Sequence, residues 1–164
     1  MSETLSGGCQ CGAVRFSVAT PLRSSSVCHC RMCQKAFGGL YGALTDAREG
    51  TVKWTRGQPR YFESSQFARR GFCPECGTPL TYEAPDGIAL AIGAFDNPEA
   101  VAPTIQYGIE SKLSFTDGIH TLPVRETLDD SETATFLASV VSNQHPDHDT
   151  DVWPADKDDE GSRP

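Results

Sequence analysis

Seven cysteines in three short clusters are the residues of this chain best suited to chemistry. The first cluster is CQC at 9–11, the second is CHCRMC at 28–33, and the third is CPEC at 73–76. Because seven is an odd number, the cysteines cannot all pair in disulfides. Clustered thiols at these spacings are typical of zinc ligands, so the sequence favours metal sites over a disulfide framework.

The first and third clusters together offer the ligands of one closed zinc site. In an extended backbone, Cys9 and Cys11 point to the same side, and the flanking glycines allow the chain to pass close to an ion. The CPEC turn followed by Gly77 is typical of a zinc knuckle. We therefore expect a structural zinc with four sulfur ligands, Cys9, Cys11, Cys73 and Cys76. Buried free thiols, or redox chemistry at CPEC, are the alternatives.

Three cysteines then remain, namely Cys28, Cys30 and Cys33. A zinc ion with three protein ligands and an open fourth position is typical of a catalytic site. An incoming thiol could take that position and would lose its proton on coordination. Two alternatives stay open: a closed site completed by His29, Asp96 or another side chain, and a redox cluster without metal. His29 itself could shuttle a proton or simply form a hydrogen bond.

The charge of the chain argues against nucleic acid as a partner. The net charge is −8, and acidic proteins bind phosphate backbones poorly. Basic side chains are concentrated in residues 1–72. The same segment contains five of the seven cysteines, at positions 9, 11, 28, 30 and 33. No apolar run is long enough to span a bilayer, and the first residues lack the features of a secretory signal. We therefore expect a cytoplasmic protein that does not act at a membrane.

Short alternating segments between glycines and prolines predict a mainly β fold. The expected strands lie at 13–18, 40–45, 51–55, 59–63, 67–72, 80–83, 88–95 and 104–108. A short helical turn is expected from Cys30 through Lys35. One C-terminal helix is expected, capped by Asp130 or Ser131, with an apolar stripe that includes Phe136. Residues 1–144 should form a single domain, and the acidic residues 145–164 a disordered tail.

The cysteine motifs, in this order, resemble those of a known family. They read GGCQCGAVRF, then CHCRMCQK followed by FGG, then GFCPECGTPL; the segments GAFDNP at 93–98 and ESKL at 110–113 fit the same pattern. The chain from about residue 5 to about residue 123 is similar to the glutathione-dependent formaldehyde-activating enzyme family, the GFA family, to which centromere protein V is related.

The resemblance implies several antiparallel β-sheets around two zinc ions. It implies a structural zinc on Cys9, Cys11, Cys73 and Cys76, and a catalytic zinc on Cys28, Cys30 and Cys33. The implied activity is that of a carbon–sulfur lyase resembling S-(hydroxymethyl)glutathione synthase, which joins formaldehyde to glutathione. A small thiol and an aldehyde would then be the partners, with glutathione's carboxylates paired by basic side chains such as Arg31, Lys35, Arg69 or Arg70.

The chain also departs from the family pattern. Gln106 stands where members often have histidine, and Ser114-Phe115 stands where they often have Pro-Trp. These departures concern the substrate more than the zinc ligands. Two other classes of function therefore remain open: a non-catalytic, zinc-stabilised module that binds a protein, and a thiol redox sensor.

Overall fold

The computed structural model describes residues 3–126 and 131–154, apart from the side chains of 131–133. Its ten strands are β1 (Thr4–Gly8), β2 (Arg15–Ala19), β3 (Ser24–Cys28), β4 (Gly42–Asp46), β5 (Val52–Arg56), β6 (Arg60–Glu63), β7 (Arg69–Phe72), β8 (Pro79–Ala84), β9 (Gly87–Ala91) and β10 (Ile105–Tyr107). Its two α-helices are α1 (Arg31–Phe37) and α2 (Ser131–Ala138). Four short 3-10 helices lie at Ile92–Ala94, Pro98–Val101, Ile109–Ser111 and Ser114–Thr121.

The strands form two sheets, which confirms the predicted mainly β class. The smaller sheet has the order β1-β2-β5 and is antiparallel throughout. The larger sheet has the order β10-β3-β4-β9-β8-β7-β6. All of its pairs are antiparallel except β10 with β3, which run parallel. We expected antiparallel sheets, and the larger sheet is mixed. Its one parallel pair in the described residues forms where β10, from a distant part of the chain, joins the free edge of β3.

The core lies between the two sheets. Phe16 of the smaller sheet is fully buried and meets Phe95 and Trp54 edge-on, at ring-centroid distances of 5.2 and 6.1 Å. Leu80 and Leu90 of the larger sheet are also fully buried in the same cluster. Burial of each such side chain contributes about 1.5–3 kcal/mol. The fold therefore has an apolar core in addition to its cysteine clusters.

Two strands were not predicted, and both position cysteines. β1 reads TLSGG and β3 reads SSSVC, so neither shows the apolar alternation that identifies a strand from sequence. β3 forms because it lies between β4 and β10, where the Ser25 hydroxyl donates to Thr45 Oγ1 at 2.8 Å. β1 leads directly to Cys9, and β3 ends on Cys28.

Residues 145–154 fold back onto the domain, whereas the sequence predicts a disordered segment there. The side chain of His145 is buried, and its amide donates to Gln10 O at 2.7 Å. Trp153 Nε1 donates to Cys11 O at 2.6 Å, and Arg15 Nε donates to Asp149 Oδ1 at 2.8 Å. Buried arginine and backbone acceptors supply partners that an acidic composition alone does not reveal. The predicted disorder of residues 155–164 falls outside the described residues.

The expected C-terminal helix is present as α2, but its apolar residues are not packed in the core. Phe136 is 67% exposed, and Val140 and Val141 just beyond the helix are also exposed. The predicted cap at Asp130 lies outside the described residues. In the part of the chain that the structure describes, neither this helix nor any other has the length and apolar character to cross a membrane.

Candidate metal centres

Two similar turns bring Cys9 and Cys11 together with Cys73 and Cys76. In the turn at 9–14, the Cys9 amide donates to Val14 O at 2.9 Å; in the turn at 73–78, the Cys73 amide donates to Thr78 O at the same distance. Each turn contains a glycine with a φ of +77°, Gly12 in the first and Gly77 in the second. A φ in this left-handed region suits glycine because it lacks a Cβ. The predicted knuckle at CPEC is therefore one of a pair.

The four sulfurs lie as close together as the ligands of a tetrahedral zinc ion. All four Sγ atoms lie within 4.8 Å of one another, with 3.6 Å between Cys9 and Cys11 and 3.9 Å between Cys11 and Cys73. Sulfurs about 2.3 Å from a tetrahedral zinc would lie about 3.8 Å apart. Amides point at the sulfurs as well, because Val14 N lies 3.2 Å from Cys9 Sγ. The donor set and its spacing therefore fit zinc.

Burial makes most of these thiols harder to ionise. Burial raises the pKa of Cys73 to about 11 and also raises the pKa of Cys11. Burial opposes ionisation of Cys76, but hydrogen bonds with Thr78 and Cys11 together outweigh it and lower the Cys76 pKa to about 6. Neighbouring thiolates repel one another, so without a cation some of the thiols stay protonated. A divalent ion would allow all four to bind as thiolates.

The second cluster is assembled at the junction of β3 and α1. Cys28 ends the strand, Cys30 caps the helix, and Cys33 lies buried in its first turn. The Cys33 amide donates to Cys30 Sγ at 3.4 Å, and the three Sγ atoms lie within 4.8 Å of one another. Gln34 holds the junction together, because its Nε2 donates to His29 O at 2.7 Å and to Ser111 O at 3.1 Å.

The thiols of this cluster differ in their tendency to ionise. Burial, together with hydrogen bonds to Cys30 and Cys33, raises the pKa of Cys28 to about 12. Burial also acts against ionisation of Cys30, but the amides of Cys33 and Met32 and the neighbouring thiols lower its pKa. As in the first cluster, a bound cation would allow all three sulfurs to act as thiolates. The chemistry of this donor set therefore also fits zinc.

The side chains considered as a fourth ligand lie elsewhere or have other partners. Among the described residues, no further Cys, His, Asp or Glu joins the three sulfurs. Asp96 instead pairs with Arg15 through both carboxylate oxygens, at 2.8 and 2.6 Å. His29 is buried, and its Nε2 lies 2.9 Å from Gln106 Oε1. Because an amide oxygen only accepts, Nε2 carries the proton in this contact. Gln106, one of the departures from the family pattern, thus adjoins the cluster.

One basic side chain does reach the second cluster. Arg70, on β7, is buried, and its Nη2 donates to Cys33 Sγ at 3.4 Å. Its Nε donates to the Ser64 hydroxyl at 3.1 Å, and its guanidinium lies over the ring of Tyr82 at 5.0 Å. The sequence grouped Arg70 with three other basic residues, and only the structure separates it from them.

The other three basic residues do not contact the cluster sulfurs. Arg69 points to the opposite face of β7, where it pairs with Glu83 at 2.7 Å and stacks on Tyr61. Arg31 Nη1 donates to Gln34 Oε1 at 3.0 Å. Lys35 lies in the last turn of α1. Alternation along β7 could have predicted that Arg69 and Arg70 face opposite ways, but not which of them faces the cysteines.

A cleft of about 160 Å³ is lined by residues that are close in sequence to cysteines of both clusters. Phe37, at the end of the helix that carries Cys33, lines one part of it, and Gly77, which follows Cys76, lines another. Arg70 and the largely exposed Phe62 complete a wall that is mostly apolar with one cation. Such a combination suits a small organic ligand with a polar or charged group.

Comparison with known proteins places the chain in a family. The chain is similar to an uncharacterized lyase of Schizosaccharomyces pombe (strain 972), at 30% identity over 81 residues, or 49% of this chain and 58% of that relative. The match thus spans little more than half the length of the curated relative. A crystal structure of a Rhodobacter sphaeroides protein is similar at 21% identity with a TM-score of 0.48, covering 62% of this chain and 99% of the other.

A family profile covers a larger part of the chain. Residues 4–111, about two thirds of the sequence, match the glutathione-dependent formaldehyde-activating enzyme profile. The matched region contains all seven cysteines and Arg70. On this match, the chain belongs to the glutathione-dependent formaldehyde-activating enzyme family.

Proposed function

We propose that this protein is a zinc-dependent enzyme of the carbon–sulfur lyase type that acts on the adduct of a thiol and an aldehyde. Family membership makes glutathione and formaldehyde the first substrates to test. The protein would hold two zinc ions per chain, a structural ion on Cys9, Cys11, Cys73 and Cys76 and a catalytic ion on Cys28, Cys30 and Cys33. All seven cysteines are free thiols, which fits a reducing, cytoplasmic location.

The difference between the two cysteine clusters is the observation that carries this proposal. One cluster supplies four sulfurs, the full ligand set of a structural zinc. The other supplies three, and no fourth Cys, His, Asp or Glu joins them among the described residues. It also adjoins a cleft through Arg70, which contacts Cys33 and lines the wall. This arrangement supports a ligand-binding role for the second cluster alone.

The reaction joins the thiol sulfur to the carbonyl carbon. The new carbon–sulfur bond forms as the carbon–oxygen double bond becomes a single bond, and the proton lost by the thiol ends on that oxygen. A zinc ion on the three cysteines would supply a fourth coordination position that favours the thiolate form of the substrate. The chain's own part is to hold the three sulfurs at one point, through the β3–α1 junction and the contacts of Gln34.

Exchange spectroscopy by NMR tests this function. The assay follows exchange between the signals of free glutathione and of its formaldehyde adduct, with and without the protein. We expect the zinc-loaded protein to raise the exchange rate in proportion to its concentration. Cys30→Ser should abolish the increase, and Lys53→Gln, on the exposed surface of β5, should preserve it. An exchange rate that does not depend on the protein would contradict the assignment of this substrate pair.

One observation favours a second candidate, a zinc-stabilised module that binds another protein. Several large apolar side chains are exposed beyond the cysteine motifs, among them Phe115, Ile119 and Leu122. If this surface carried the function, the three-cysteine ion would have a fourth protein ligand and would not respond to thiols. Coordination of that ion, with and without added thiol, therefore separates the two candidates.

A further inference from the structure

Arg70 is a buried cation that has no carboxylate partner among the described residues. Arg70 is only 7% exposed. In the described part of the chain, no Asp or Glu lies within ion-pair distance of its guanidinium. Its Nη1 has no hydrogen-bond partner there. Burying a guanidinium is costly unless an opposite charge lies nearby. The opposite charge must therefore come from a group that Arg70 does contact.

Among the described partners of Arg70, Cys33 is the one that would become anionic on binding a metal ion. Ser64 and the face of the Tyr82 ring are uncharged partners. Cys33 Sγ, at 3.4 Å from Nη2, belongs to the three-cysteine cluster. Three thiolates with one divalent zinc ion carry a net charge of −1, which a single guanidinium neutralises. The buried cation and the cluster thus match in charge.

In the described part of the chain, no guanidinium donates to a sulfur of the four-cysteine cluster, although Arg56 Nη1 donates to Gly12 O in one of its turns at 3.1 Å. Among the described residues, the groups that donate to its sulfurs are amides and a hydroxyl, such as Val14 N on Cys9 and the Thr78 hydroxyl beside Cys76. Four thiolates with zinc carry a net charge of −2, and a closed site of that kind accepts no further ligand. Among the described residues, a guanidinium therefore contacts a cluster sulfur only at the three-cysteine site, where another ligand could enter.

We propose that Arg70 determines the class of ligand that the three-cysteine site accepts. By offsetting the charge of the cluster through Cys33, it allows an anionic thiolate to enter rather than only neutral donors. Without it, a thiolate would approach a cluster that is already negative. This inference rests on the proposed function, because it requires a zinc ion on Cys28, Cys30 and Cys33. Arg70 acts through Cys33 and is therefore a positioning residue.

Arg69 provides a matched control for this idea. It is the adjacent arginine on the same strand, but its side chain is 48% exposed and pairs with Glu83 on the other face. Replacing Arg69 removes one positive charge at nearly the same place in the sequence. It leaves the contact between Arg70 and Cys33 intact. Any effect found for Arg70 but not for Arg69 then depends on the buried position.

The test compares an anionic with a neutral ligand by titration calorimetry. Zinc-loaded wild-type protein, R70Q, R70K and R69Q are each titrated with 2-mercaptoethanol, which would bind as a thiolate, and with imidazole, which binds uncharged. We expect R70Q to weaken 2-mercaptoethanol binding by about 10- to 100-fold and to leave imidazole binding nearly unchanged. R70K keeps the charge and should retain most of the thiol affinity. R69Q should resemble the wild type.

Two results would overturn the inference: unchanged thiol affinity in R70Q, or an equal loss for both ligands. If R70Q retains too little zinc for the calorimetric titration, the zinc affinity of each variant is measured instead by competition with a chromophoric chelator. R70K should then keep the zinc affinity of the second site, and a loss as large as in R70Q would overturn the charge argument. If wild-type protein with two zinc ions binds no thiol, the proposed function fails instead, whatever Arg70 does.

Discussion

Replacing Cys73 by serine should destabilise the domain more than replacing Cys30. The four-cysteine cluster joins distant parts of the chain, because Cys11 and Cys73 are 62 positions apart and their sulfurs lie 3.9 Å from each other. The second cluster spans only the five positions from Cys28 to Cys33, which β3 and α1 already hold in place. A zinc ion held by the four-cysteine cluster would therefore close a far longer loop.

The difference in loop length gives the expected magnitude. Closing a loop about twelve times longer costs about 2 kcal/mol more entropy, so the zinc that closes it removes that much more freedom from the unfolded chain. For a chain of this size, about 2 kcal/mol corresponds to about 4–8 °C in Tm. We expect the Tm of Cys73→Ser to fall at least that far below the Tm of Cys30→Ser.

Calorimetry on the two serine variants tests this expectation, with the zinc content of each measured on the same samples. Each variant should lose about one zinc ion per chain. Cys28→Ser serves as a second variant of the three-cysteine site and should behave like Cys30→Ser. Equal Tm values for Cys73→Ser and Cys30→Ser, or a lower Tm for Cys30→Ser, would refute the division into a structural and a ligand-binding site.

Two further predictions concern the buried charges near the first cluster. Asp96→Asn should lower the free energy of unfolding, measured in urea, by about 3–5 kcal/mol, because among the described residues it leaves the buried Arg15 with only the exposed Asp149 as an ionic partner. The control, Asp149→Asn, should lower it by less than about 1 kcal/mol. Burial, and then the charges of Arg15 and Arg56, lower the pKa of His145 from its usual 6.5. The unfolded chain therefore binds a proton at His145 more readily than the folded chain, so the free energy of unfolding decreases as the pH drops below about 6.5. The protection factors of the amides in residues 145–154, which correct for the pH dependence of intrinsic exchange, should fall between pH 7 and 6. A His145→Asn variant that showed the same fall would contradict this.

The sequence was most informative where chemistry is local. Thiols two or three positions apart must lie close together, so the cysteine clusters could be predicted from their spacing alone. The same holds for strands that alternate, such as β2, and for the turn at CPEC. In these cases the pattern and the conformation depend on the same few residues.

Apart from the grouping of Cys9 and Cys11 with Cys73 and Cys76, features that depend on distant partners could not be predicted. β3 reads SSSVC and becomes a strand only because β4 and β10 pair with its two edges. The segment 145–154 is acidic but finds buried partners such as Arg15. Arg70 and Arg69 look alike in sequence, and only the packing of β7 decides which of them reaches Cys33. The interactions that matter here join residues far apart in the chain.

The most direct test of the central claim is a crystal structure of the zinc-loaded protein, determined with and without glutathione. We predict zinc on both clusters, with four cysteine sulfurs around the first ion in both states. At the second ion, held by Cys28, Cys30 and Cys33, the glutathione sulfur should complete the tetrahedron at about 2.3 Å. A fourth protein side chain bound to that ion in both states would contradict the claim that this site takes a thiol substrate.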